Sequence, residues 1–212
     1  GSNWGGTAAE VWLPKAIFEK DSLLQDAASK LTAEEWGPNE PGTIYNAMIN
    51  PIIPYNLAGI IWYQGESNTG TANQYEYVFN QLIENWRTSW EQDFPFYFAQ
   101  IAPYNYGENN DSGVRVRDAQ RRTLSLPNTG MIFTGDVGNF ENIHPRDKKT
   151  VGLRFANVAL KETYKSYEAE VYGPLVEKAY KKGKHIIVEF SHAEGLHFKE
   201  NKVLQFEVAG ED

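Results

Sequence analysis

The chain contains no cysteine, only 2 methionines and only 4 histidines in 212 residues. Without cysteine there is no disulfide, no thiolate metal site and no cysteine nucleophile, while the cellular compartment stays open. No stretch comes near the 18 or so consecutive apolar residues that a membrane-spanning helix requires. Positive charge is scarce: 20 Lys and Arg face 28 Asp and Glu, giving a formal net charge of -8 and a pI near 5.1. Such a surface repels nucleic acid and anionic membranes, so neither is expected as a partner. No His, Asp and Glu cluster has metal-ligand spacing, and no metal or cofactor is expected.

What is present describes a packed chain. Hydrophobic residues make up 41% and aromatic residues 14%, unlike a disordered polymer. The length suits one ordinary domain plus part of a second. Up to about residue 165, strand-like and helix-like segments alternate. Strands are expected over 59–63, 94–101 and 130–134, and helices over 73–90, 114–126 and 146–164. Residues 14–42 read as a short helix or irregular excursion, and 45–55 as a short helix and a proline-bounded turn. This alternation implies a parallel, layered α/β sheet. Beyond 165 the pattern becomes β-rich, with strands expected over 184–190 and 203–208 and a turn at 192–196. The expected domains are therefore 1–165 and 166–212.

Two stretches carry chemistry. Ile60-Ile61-Trp62-Tyr63 is an apolar run that stops in Gln64-Gly65-Glu66-Ser67-Asn68. Ligands of open α/β sheets bind beyond the carboxyl ends of strands, and a core has no use for such a polar row. Further on, Asn142-Ile143-His144-Pro145 places a histidine at the mouth of a helix. With Trp4-Gly5-Gly6-Thr7 and Glu10-Val11-Trp12, these blocks occur in an order that resembles the SGNH-type carbohydrate acetylesterases, the sialate O-acetylesterase family in particular. Lys148, Gly152 and Arg154 extend the likeness after His144.

The resemblance implies a three-layer α/β/α SGNH-hydrolase-like fold with a flavodoxin-like parallel sheet. It also implies a serine esterase that removes O-acetyl groups from sialic acid or a related sugar. The family's serine lies in a Gly-Gln-Ser-Asn block upstream of Trp-Gly-Gly-Thr, and no such block occurs here. The chain is thus expected to be a piece of a longer protein, without its first strand and inactive alone, followed by the start of a β-sandwich. The missing segment, or a second copy of the chain, is an expected partner beside the O-acetylated carbohydrate. A secreted or periplasmic location follows from the same resemblance. A non-catalytic carbohydrate-binding domain and an acetylxylan-type esterase are the alternatives.

Within this frame His144 is the general base and then acid, since an imidazole titrates near neutral pH. Three groups compete to orient its ring: Glu66, Glu141, and Asn142 standing where relatives have Asp. Gly6 is implied for the oxyanion hole, together with the Gln64, Gly65 and Asn68 loop. The plainer alternative for that loop is a turn in which Ser67 or Asn68 caps the next helix. Ser67 as nucleophile fails the elbow pattern, because Thr69 stands where glycine is needed. Trp4, Trp12 and Trp62 suit either sugar stacking or core packing. Arg117 and Gln120 resemble a family Arg-x-x-Gln, with a helix-surface salt bridge as the alternative. Asp136 is a candidate for structuring the loop that carries His144.

Overall fold

The computed structural model describes residues 1–35 and 37–197. It divides into two compact units, Gly1–Val171 and one that begins at Tyr172. The sequence pattern had placed the change at residue 165.

The first unit is built on a parallel sheet of three strands, β1 (Ile60–Trp62), β2 (Phe96–Ala99) and β3 (Thr129–Ile132), in that order. A helix follows each strand: α3 (Ala72–Trp90), α4 (Ser112–Thr123) and α5 (Lys148–Val158). Two short helices, α1 (Lys15–Phe18) and α2 (Ser22–Ser29), fill the excursion before β1. Asp21 starts α2 by accepting the backbone N–H groups of Leu23 and Leu24.

All four residues of β2 are buried, as a central strand covered on both faces requires. Phe96 and Phe98 point to one face and meet Phe79 of α3 at ring-centroid distances of 5.9 and 5.1 Å. Tyr97 points to the other, where its hydroxyl lies 2.9 Å from that of Thr163, just after α5. The sheet is thus sandwiched between helices, giving three layers. Trp62 joins the α3 side, flanked edge-on by Trp12 and Trp86. Trp12 and Trp62 are therefore core residues rather than sugar platforms, while Trp4 is 48% exposed.

The α3 helix buries one face. Tyr75, Val78 and Phe79 are buried with Leu82, Ile83 and Trp86. Tyr77 turns to the flank and donates to Asp21 at 2.6 Å. At the far end, Arg87 donates to the carbonyls of Phe94, Pro127 and Asn128, which ties α3 to the starts of β2 and β3.

The β1 strand pairs only with β2 among the described residues, and Ile61 on it is 66% exposed. The second unit holds an antiparallel pair, β4 (Leu175–Lys182) and β5 (His185–Ser191), turning at Gly183. The expected strand over 184–190 is β5. Its partner β4 was not foreseen, because an irregularity between Val176 and Lys178 breaks the alternation that marks a strand. The strand expected over 203–208 lies outside the described residues.

Phe79 is fully buried and touches Trp62, Tyr75, Phe96 and Phe98. Phe79→Ala should lower the stability of the first unit by about 3–5 kcal/mol. Urea unfolding checks this; a loss below about 1 kcal/mol would mean that Phe79 is not at the centre of the core.

Candidate active site

Three parallel strands bring the loops after them to one edge of the sheet. The loop after β1 carries Gln64, Gly65, Glu66 and Asn68. The loop after β2 carries Tyr104 and Tyr106, and the loop after β3 carries Asp136 and then His144.

The first loop is held by a buried amide. Asn68 has no exposed surface, and its side chain makes four hydrogen bonds. Its Oδ1 accepts from the Ala9 N–H at 2.9 Å and from Gln64 Nε2 at 2.6 Å. Its Nδ2 donates to Glu10 Oε2 at 2.8 Å and to Thr71 Oγ1 at 3.0 Å. That is the full capacity of an asparagine side chain. Gln64 also donates to the Thr7 carbonyl and accepts from the Tyr75 hydroxyl at 3.1 Å. The donors of Gln64 and Asn68, expected on the substrate side, are therefore turned inward. Neither Ser67 nor Asn68 caps a helix: the short turn Glu66–Thr71 begins after Gly65, without a side-chain cap.

Gly65 has φ +150, and a Cβ there would stand 2.7 Å from the Ile101 side chain. Only glycine lets the chain leave β1 this close to its neighbours. Gln120, fully buried, closes the gap behind it. It donates to the carbonyls of Gln64 and Ala99 and accepts from the Ile101 N–H, bridging the ends of β1 and β2. It is neither on the helix surface nor in a salt bridge.

Gly6, with φ +74, Glu66, Ser67, Tyr104, Tyr106 and Ile143 line a cleft of about 360 Å³. Burial pushes the Glu66 carboxyl above the ordinary glutamate range, opposed first by a backbone hydrogen bond and then by the nearby Lys148 and His144 side chains. His144 itself is exposed and lines a neighbouring depression with Asp136 and Asn142. Among the described residues no carboxylate lies within ion-pair distance of its ring. Asn142 Oδ1 accepts the backbone N–H of His144 at 2.9 Å, so it shapes the turn rather than the ring. Glu141 is exposed, and its own N–H goes to Asn139. Asp136 forms a two-pronged pair with Arg154 at 2.7 and 2.6 Å, tying the loop after β3 to α5. The Lys148 ammonium lies 4.8 Å over the ring of Tyr63, whose phenol burial pushes up to about 12.

Residues 7–161 match the family described as carbohydrate esterase, sialic acid-specific acetylesterase. The chain belongs to this family. It is 31% identical over 197 residues to the sialate O-acetylesterases of Pongo abelii and Homo sapiens, covering 84% of this chain and 38% of each relative. The mouse protein of the same name is 29% identical over 222 residues, with 41% of its length covered. The chain therefore spans about two-fifths of the length of these relatives. Among solved structures, a carbohydrate acetylesterase from Xanthomonas citri matches with a TM-score of 0.74 and 32% identity, over 89% of this chain and 41% of the other. The parallel α/β architecture is the SGNH-type class that the sequence blocks implied.

In this acetylesterase-family domain, the sequence blocks pointed to Glu66 and His144 but not to the groups beneath them. The sequence marks Glu10 only as part of its block and gives no role to Thr71, Tyr75 or Tyr106. The Glu10-x-Trp12 pattern was the available signal for Glu10, since a glutamate inside an otherwise apolar segment needs a partner. Tyr75 and Tyr106 gave none, because a tyrosine in a helix or loop reads as ordinary packing.

Glu10 has no exposed surface, and burial raises its pKa. Its Oε1 has no hydrogen-bond partner. A carboxyl raised in the folded state favours folding while it is neutral. Its contribution is fully present below the ordinary glutamate pKa and is lost as pH rises through the raised value. The thermal midpoint should therefore fall as pH climbs from the glutamate range to neutrality. Glu10→Gln, which keeps an acceptor for Asn68, should flatten that fall, leaving the part due to Glu66. Melting curves across this range decide; an unchanged slope in the variant would remove Glu10 as the cause.

Proposed function

We propose that the whole protein hydrolyses O-acetyl esters on sialic acid or a closely related sugar. The observation that carries this reading is Glu66, half-enclosed at the end of β1 in a cleft that it lines together with Gly6 and with Ile143, the neighbour of His144. Family membership supplies the reaction class. The serine comes from a Gly-Gln-Ser-Asn block, which these residues do not contain.

In this reading the serine oxygen attacks the acetyl carbonyl and His144 takes its proton. The backbone N–H of Gly6 helps to hold the oxyanion. Collapse expels the sugar hydroxyl, which receives the proton from His144. Water, deprotonated by the same imidazole, then releases acetate from the acyl-enzyme. Glu66 is the group that steadies the imidazolium, because Glu141 points to solvent and Asn142 is engaged with backbone. Asn68 acts beneath the cleft by fixing the loop rather than by touching substrate. The protein works outside the cytoplasm, secreted or in the periplasm.

The serine strand belongs on the open edge of β1, beside the exposed Ile61. Unpaired strand edges attract another strand. The 24.1 kDa chain by itself should therefore recruit a polypeptide that carries the missing segment, or exchange strands with a second copy. Light scattering with intact mass spectrometry tests this; a stable monomer without a second polypeptide sets it aside. The chain alone should leave aryl acetates intact, and turnover abolished by Ser67→Ala would relocate the nucleophile.

In the full-length protein, His144→Ala should lower kcat by roughly 10³-fold or more while the fold persists. Of Glu66→Gln, Glu141→Gln and Asn142→Ala, the first should cost most. The wild-type acylation rate should rise with pH as the imidazole loses its proton. A folded His144→Ala protein with most of its activity would overturn the assignment.

A further inference from the structure

Arg117, on α4, stands apart from the arginines around it. Arg115 pairs with Asp111, Arg121 and Arg122 with Asp118, and Arg154 with Asp136. These pairs engage the acids nearest to Arg117 on its own helix. Arg117 has no carboxylate within ion-pair distance among the described residues. Its Nε is buried and has no hydrogen-bond partner. Burial pulls its pKa downward. A guanidinium remains charged regardless, so it sits partly desolvated without a counterion, which is unfavourable unless an anion completes it.

The surroundings of Arg117 suit such an anion. It lines a cavity of about 90 Å³ with Tyr104, Tyr106, Asn110 and Phe140. The hydroxyl of Tyr106 is a second buried polar group without a partner. Tyr104 and Tyr106 meet edge to face, with centroids 5.0 Å apart, and both also line the larger cleft beside Glu66. The two cavities share this tyrosine wall. The smaller one is large enough to take a carboxylate.

We propose that Arg117 and Tyr106 form a carboxylate-binding site behind the Tyr104–Tyr106 wall, opening towards the esterase cleft. A guanidinium fork is the side chain best matched to a carboxylate, and a phenol adds a further donor. The inference rests on the acetylesterase reading, in which the sugar carries an acid group. Its occupant is either that acid group, with the sugar body in the larger cleft, or the acetate that hydrolysis releases.

Calorimetric titration of the full-length protein separates these cases with three probes: N-acetylneuraminic acid, its methyl ester and sodium acetate. Wild type should bind the acid at least tenfold more tightly than the ester. Arg117→Gln should lose that difference, and Arg117→Lys should recover part of it. Acetate binding as tightly as the sugar acid, and lost in Arg117→Gln, makes acetate the occupant. Equal binding of acid and ester by wild type, together with no acetate binding, overturns the proposal without needing any variant. So does undiminished anion binding by an Arg117→Gln protein with a wild-type melting point. Hydrolysis of a neutral aryl acetate by wild type reports separately on the esterase reading.

Discussion

The Asn68 side chain is the point on which this site turns. A buried amide with an unmet donor or acceptor costs about 1–3 kcal/mol per group, so its four hydrogen bonds leave the loop one stable arrangement. Through them the chain start at Ala9 and Glu10, 59 and 58 residues from Asn68, is locked to the end of β1 at Gln64 and the approach to α3 at Thr71. Gly6 and Glu66 then reach the same cleft because the segments that carry them share this amide.

A second constraint comes from parallel pairing. Each strand needs a helical crossover to return the chain to the same end, so the polar loops accumulate at one edge. Gln120 secures that edge from beneath, joining β1 and β2 where their ladder stops. Arg87 does the same at the opposite edge with three carbonyls. Both are polar groups turned into the fold, and both hold strand ends that hydrophobic contact alone would leave free to slide.

The electrostatics of the cleft follow from its depth. Glu10 and Glu66 are both pushed towards their neutral forms by burial, but their surroundings differ. Glu10 has only the Asn68 amide and its own backbone to favour its charge. Glu66 has its own backbone too, and in addition Lys148 and His144, supplied by the loop and helix that follow β3.

Much of this was legible in the order of residues. Local periodicity marked β1, β2, β3 and the three long helices, because a buried strand is a short apolar run and a covering helix repeats every three to four residues. The polar row after Trp62 and the lone histidine before Pro145 marked the ends of the loops that meet. Other features depend on distance in space. Whether Trp12 and Trp62 faced sugar or core was open until the chain start was laid against α3. That Glu141, the nearer acid in sequence, faces solvent while Glu66 lines the cleft follows from which loops the sheet brings together. The sequence by itself determined the class of fold and the residues from which a site is made, since these follow from local pattern and residue chemistry. The tertiary structure decided which way each polar group faces, because hydrogen-bond partners 56 to 59 residues apart cannot be read from either one alone.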